Sequence, residues 1–243
     1  MIYGASSKTI VSLDPYLINL DNRPDRLDSA VFEAEKLGLS LIRVSAVDSN
    51  GICDANSLLS PQATACWESH KLAMELLLKS NSSHCLVFED DFVITNVRRL
   101  KKQLSQVDYS EWDFIQIGFL NTGFRDRVVR VLTNLECDLF RCLRALENLK
   151  ILKFLKINGR LRIKRLSGVP KGFIPDDVRS GAHCYVISRN CAQFAISLNT
   201  PAFLTADGFY SALAWDKYFK MLRVRGTWIV QSASPSSIKV TSE

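Results

Sequence analysis

Cys85-Leu-Val-Phe-Glu-Asp-Asp91 sets four apolar residues directly against three carboxylates. A short apolar run of this kind reads as a strand buried on both faces. The charges that end it then lie at the strand's carboxyl edge. In open α/β sheets that edge is where ligands bind. Three adjacent carboxylates repel one another unless a cation compensates them. Hard oxygen ligands suit Mg²⁺ or Mn²⁺, which also bridge phosphates. The competing reading of the triplet is a solvated acidic turn.

Upstream, Tyr16-Leu-Ile-Asn-Leu20 is a second strand of the same type. Asp21-Asn-Arg-Pro24 then predicts a helix start with proline in the first turn, running to about Leu37 with Gly38 just past its end. Leu41 to Val47 reads as the next strand. Ser60-Pro61 opens a helix to about Lys79, with Cys66, Ala73, Leu76 and Leu77 on its inner face. Downstream, Asp113-Phe-Ile-Gln-Ile-Gly118 and His183-Cys-Tyr-Val-Ile187 are strands. Ser188 caps a helix through Leu198, which Thr200-Pro201 stops. Phe203 to Trp215 carries Asp207, and Thr227-Trp-Ile-Val230 is a late strand. Strands and helices alternate at βαβ spacing through residue 118. The predicted fold class is therefore α/β, with a mostly parallel central sheet flanked by helices.

The 243 residues are 47% hydrophobic and 23% charged, which excludes disorder, collagen and coiled coil as the main state. A single domain over 1–243 is expected. No apolar run reaches the roughly 18 residues of a spanning helix, and the first residues lack the apolar core of a secretory signal. Seven cysteines without a CxxC pair suggest a reduced chain with neither a disulfide frame nor a zinc cluster. These features together predict a cytoplasmic protein.

The net charge of +6 is local in origin. Residues 128–166 hold ten basic and three acidic side chains, an excess of +7, so the rest of the chain is nearly neutral. Leucines recur there at steps of three or four, from Leu132 to Leu155, which predicts a basic helical insert. One reading is a solvated helix packed through its leucines. The other is a helix lying on an anionic membrane surface. Nucleic-acid binding is not expected, because the stretch has no recognisable motif and only Phe140 and Phe154 as aromatics.

Asn19, Arg23 and Arg26 follow the first strand, where arginines at a helix start can meet a phosphate. The bland alternative is a surface helix start. His70, within the second helix, is more often a packed or capping residue. His183 opens an apolar strand, and Asp207 lies in an apolar stretch. A carboxylate there could take a proton from an attacking hydroxyl if it came within reach.

These residues fall in an order that resembles the family-25 glycosyltransferases, which include bacterial lipopolysaccharide and lipooligosaccharide galactosyltransferases and animal collagen galactosyltransferases. Tyr16-Leu-Ile-Asn-Leu-Asp-Asn-Arg-Pro-Asp-Arg26 is similar to the family's opening motif, and Arg43-Val-Ser-Ala-Val-Asp48 to its second-strand segment. Cys66-Trp-Glu-Ser-His70 resembles its Gly-Cys-x-x-Ser-His helix, and Val87-Phe-Glu-Asp-Asp91 its Glu-Asp-Asp site. Ser180-Gly-Ala-His-Cys-Tyr-Val-Ile-Ser188 resembles its Gly-Thr-His-Gly-Tyr-x-Ile-Ser segment. Ala182 and Cys184 depart from the family's threonine and glycine.

The resemblance implies a GT-A fold and inverting transfer of a sugar, usually galactose, from a UDP-sugar to a glycan hydroxyl. A lipooligosaccharide acceptor would place the enzyme at the inner face of the bacterial inner membrane. It implies Mn²⁺ or Mg²⁺ held first by Asp91, with Glu89 and His183 as further ligands. Asn19, Arg23, Arg26, Asp48, Glu89 and Asp90 would bind the donor, with His70 supporting the site from the second helix. Asp207 takes the position of the general base, and His183 completes the metal or pyrophosphate site. The alternative function is a catalytically inactive relative that binds carbohydrate or a partner protein.

Overall fold

The computed structural model describes residues 13–52, 58–120, 168–216 and 218–232, with the single positions 128, 131 and 135, which are helical. The rest of the basic segment expected over 128–166 lies outside the described residues.

Among the described residues, nine strands form one sheet: β1 (Asp14–Asn19), β2 (Ile42–Ser45), β3 (His84–Glu89), β4 (Phe92–Ile94), β5 (Phe114–Gly118), β6 (Phe173–Pro175), β7 (Cys184–Ser188), β8 (Met221–Val224) and β9 (Ile229–Gln231). Among the described residues, five α-helices with defined bounds accompany them: α1 (Pro24–Glu35), α2 (Pro61–Lys79), α3 (Val97–Leu104), α4 (Arg189–Leu198) and α5 (Ala206–Asp216). The sheet order is β2-β1-β3-β7-β5-β8-β6, with β9 beside β5 and β4 paired to β9. Strands β1, β2, β3, β5, β8 and β9 point one way, and β4, β6 and β7 the other. The sheet is thus largely parallel, as predicted, with antiparallel β7 set between β3 and β5. That insertion brings His183, just before β7, alongside the carboxyl end of β3.

Alternation along β3 sorts its residues between two cores. Leu86 and Phe88 enter the core beneath α1 and α3, with Leu17, Ala30, Ala34 and Leu100. Cys85 and Val87 enter the other, beneath α2, α4 and α5, with Trp67, Met74, Tyr185 and Phe209. Each such side chain, fully buried, contributes roughly 1.5–3 kcal/mol. Glu89 continues the second alternation and therefore faces α2.

Local signals place most helix ends. Ser60 Oγ accepts from the Ala63 amide at 3.2 Å, and Ser188 Oγ from Cys191 at 3.1 Å. Such caps contribute about 1 kcal/mol each. Gly38, at φ +77°, ends the turn after α1 in the left-handed region that glycine enters without strain. Asp21, in the turn before α1, accepts from Arg43 and from Ser45 Oγ. One local expectation is corrected. The buried stripe of α2 is Trp67, His70, Ala73, Met74 and Leu77, whereas Cys66 and Leu76 sit at its partly buried margins.

Candidate active site

A cleft of about 490 Å³ opens at the carboxyl ends of β1 and β3. Of the residues singled out by sequence, Arg23, Arg26, Asp48, His70, Glu89, Asp90 and Asp91 line it. Asn19 lies beneath, 1% exposed. His183 and Asp207 are not among the lining residues, although both act electrostatically on Glu89.

The three carboxylates of the triplet have three different environments. Asp90 is paired on both oxygens: Asn19 Nδ2 donates to Oδ2 at 2.8 Å and Arg26 to Oδ1 at 3.0 Å. Asn19 is itself fixed, since its Nδ2 also donates to the Arg23 carbonyl and its Oδ1 accepts from Arg43 Nε at 3.0 Å. Arg23 forms a two-pronged pair with Asp25 at the cleft rim. Asp48 caps the short turn that follows β2 by accepting from the Asn50 amide at 2.9 Å.

Glu89 meets His70. The carboxylate oxygen Oε1 lies 3.1 Å from His70 Nε2, while His70 Nδ1 lies 2.9 Å from the Tyr185 hydroxyl. Burial works to lower the basicity of His70, but hydrogen bonds from Cys66 and Glu89, with the charge of Glu89, outweigh it and hold the imidazole well above its usual range. Burial likewise works to raise Glu89, and the bond and charge of His70 reverse it, leaving the carboxyl low. Both shifts favour the charged forms of the pair.

Asp91 is the least compensated of the three. Gln231 Nε2 donates to Oδ2 at 2.6 Å, whereas Oδ1, also buried, finds no partner among the described residues. Burial first, and then the charge of Glu89, push its carboxyl up to about 6. A buried carboxylate oxygen without a partner is costly unless something else occupies its lone pairs. His183 shows the same defect. It is 1% exposed, burial lowers its basicity so that it stays neutral, and its Nε2 has no partner among the described residues. A neutral imidazole nitrogen is a metal ligand or a hydrogen-bond partner for a ligand.

The position of His183 is enforced by tight backbone. A Cβ at Gly118 would sit 2.6 Å from His183 Cδ2, and one at Gly181 would sit 2.8 Å from the Leu120 amide. Gly181 also has φ +93°, a conformation other residues adopt only with strain. Gln116 clamps this loop: Nε2 donates to the carbonyls of Arg179 and Gly181, both at 2.7 Å, and Oε1 accepts from the Arg179 amide at 2.8 Å. Asp207 completes the frame at the start of α5. Its Oδ2 accepts from the Gly181 amide at 3.1 Å, and its Oδ1 from Thr205 Oγ1 at 2.8 Å and Gly208 N at 2.9 Å.

Sequence reasoning missed Gln231 and Gln116. Gln116 had a visible signal, a glutamine inside an otherwise apolar strand. Gln231 had none, since its partner lies 140 residues away. Sequence reasoning also missed that the ligating atoms of Cys66, His70 and Glu89 come within 4.8 Å of one another. A search for CxxC pairs does not find such a group.

A largely parallel sheet, whose carboxyl edge opens into a cleft walled by arginines and carboxylates, is the arrangement of a Rossmann-like glycosyltransferase. The family model described as glycosyltransferase family 25 (LPS biosynthesis protein) matches residues 13–210. The chain belongs to glycosyltransferase family 25. No curated protein matches it closely enough to add to that assignment. Among the described residues, no helix is long and apolar enough to cross a membrane.

Proposed function

We propose that this chain, acting through a GT-A type site, transfers a sugar from a UDP-sugar to a hydroxyl of a lipooligosaccharide-type glycan with inversion. Galactose is the first candidate sugar. The observation that carries this reading is the pair of buried atoms without partners, Asp91 Oδ1 and His183 Nε2. Asp91 stands two residues beyond Glu89, the Glu89 amide donates to the His183 carbonyl, and both atoms are chemically suited to a divalent cation or to the diphosphate it would carry. Asp91 would hold Mn²⁺ or Mg²⁺, with Glu89 and His183 as the other candidate ligands. When bound, such an ion supplies Lewis-acid stabilisation of a diphosphate leaving group.

The protein's own groups account for the remaining roles. Arg23 and Arg26 stand at the start of α1, where guanidinium groups recognise phosphate. Asn19 holds Asp90 and the Arg23 carbonyl in place from below. Asp48 lines the wall contributed by the turn after β2. Asp207 is the proposed base for the acceptor hydroxyl. A carboxylate has about four lone-pair sites, and the three hydrogen bonds to Asp207 leave one on Oδ2. The basic 128–166 segment is the part proposed to meet an anionic membrane surface carrying the acceptor.

The test is a thermal-shift panel of UDP-galactose, UDP-glucose, UDP-N-acetylglucosamine and GDP-mannose, with and without Mn²⁺, on wild type and Asp91→Ala. Ligand bound to the folded state raises the midpoint. One UDP-sugar should shift the wild type only with Mn²⁺, and the variant should lose that shift. Folded wild type that responds to no donor would replace this reading with that of an inactive, carbohydrate-binding relative.

A further inference from the structure

Cys66 and His70 lie one turn apart on α2, so their side chains share a face. Glu89 reaches the same face because it continues the β3 alternation that points Cys85 and Val87 toward α2. The thiol, imidazole and carboxylate donor atoms lie within 4.8 Å of one another, and all three residues line the cleft. Behind them the ring of His70 is held in place: Nδ1 meets the Tyr185 hydroxyl at 2.9 Å, and Tyr210 donates to that hydroxyl at 3.2 Å. This leaves Nε2 directed at Glu89, on the side of the thiol.

We propose that Cys66, His70 and Glu89 form a binding site for a thiophilic divalent cation of the Zn²⁺ class, and that its occupancy blocks the donor cleft. Sulfur, nitrogen and oxygen donors from three side chains, with a further position open to solvent, match a zinc site that keeps a free coordination position. Hydrogen bonding at the second ring nitrogen is the usual support for a zinc-ligating histidine. Zinc bonds of about 2.0–2.3 Å put tetrahedral ligand atoms roughly 3.5 Å apart, so the observed spread closes by rotation of side chains. On binding, the cation takes the place of the proton between His70 and Glu89. One proton leaves His70 for solvent and one leaves the Cys66 thiol.

The site differs in kind from the one built around Asp91. Hard Mn²⁺ or Mg²⁺ favours carboxylate oxygens, while the thiol selects zinc. The two share Glu89, so a zinc ion withdraws that carboxylate from donor binding. This inhibitory consequence rests on reading the cleft as the donor site; the metal binding itself does not.

Cobalt titration tests the binding directly, with Co²⁺ as the spectroscopic substitute for Zn²⁺. The reduced wild-type chain should develop a near-ultraviolet thiolate-to-cobalt charge-transfer band that Zn²⁺ abolishes. Cys66→Ser should lose the band while keeping its far-ultraviolet circular dichroism, and Asp91→Asn should retain it. Absence of the band in wild type, its persistence in Cys66→Ser, or its loss in folded Asp91→Asn would overturn the assignment. Inhibition is read separately, by donor binding in Mn²⁺. With zinc at about ten times its own Kd, mass action lowers the wild-type donor affinity roughly tenfold and leaves that of Cys66→Ser unmoved. A cobalt band without any donor binding would retain the metal site and remove the reading of the cleft as a donor site. Donor binding without a band would do the reverse.

Discussion

Two hollows of similar size lie at opposite ends of β3. The cleft at its carboxyl end holds about 490 Å³, and a second hollow at its amino end about 410 Å³. The second is as rich in polar groups, but they are spent on one another. Arg189 donates to the carbonyls of Leu77, Leu78, Ser80 and Ser82, closing off the end of α2. His84 lies between the Trp112 carbonyl and Ser83 Oγ, and Asp113 accepts from Ser188 Oγ and the Lys220 amide. No lining side chain of this hollow carries a buried polar atom without a partner among the described residues. At the other end, Asp91 does. Volume therefore does not distinguish the two ends; unmet hydrogen-bonding capacity does.

Removing a group from the amino end should cost stability and spare ligand binding. Arg189→Ala leaves several carbonyls at the end of α2 without their donor, and should lose roughly 2–4 kcal/mol in urea denaturation. Donor affinity of the protein that remains folded should be unchanged. A folded Arg189→Ala protein that no longer binds donor would erase the contrast.

At the carboxyl end the expected sign is reversed. Because folding raises Asp91 from 3.8 to about 6, the folded state holds this proton more tightly than the unfolded chain. The associated stability is present below about pH 4 and is lost as pH rises through about 6, a change of up to about 3 kcal/mol. Asp91→Asn keeps an acceptor for Gln231 and removes the charge. In chelator it should be more stable than wild type by about 2–3 kcal/mol at pH 7, with the gap closing toward pH 4. Denaturation curves at four pH values would check this, and a gap that does not vary with pH would place the cost outside the carboxyl group. The smallest effect sharpens the comparison. Ser188→Ala removes the cap of α4 and should cost about 1 kcal/mol without altering donor affinity.

What sequence revealed of this fold was what short-range chemistry determines. Pro24, Ser60 and Ser188 mark helix starts through their own side chains, and the apolar runs at β1, β3, β5 and β7 announce buried strands. The three-residue strands β4 and β6 carry no periodicity, and β8 is a four-residue run interrupted by the charged Arg223. These strands exist because partners distant in sequence complete their hydrogen bonds. The reversed direction of β7 is equally invisible, since an apolar pentapeptide has the same composition in either orientation. The candidate site divides similarly. The Glu-Asp-Asp triplet, Arg26 and His70 could be picked out locally. The distinction between a saturated Asp90 and an unsaturated Asp91 could not, because it depends on Asn19 and Gln231.

The brace from Gln231 also sets a timetable. Asp91 is made 140 residues before the side chain that steadies it. At ribosomal speeds of about 5–20 residues per second, that is a wait of roughly 7–28 s. The Ser232 amide, which donates to the Asp91 carbonyl at 2.5 Å, arrives one residue later still. A nascent chain halted before β9 therefore displays Asp91 without its brace, although Asn19, Arg26 and His70 are already available to Asp90 and Glu89. The environment of Asp91 is therefore complete only once β9 has been made.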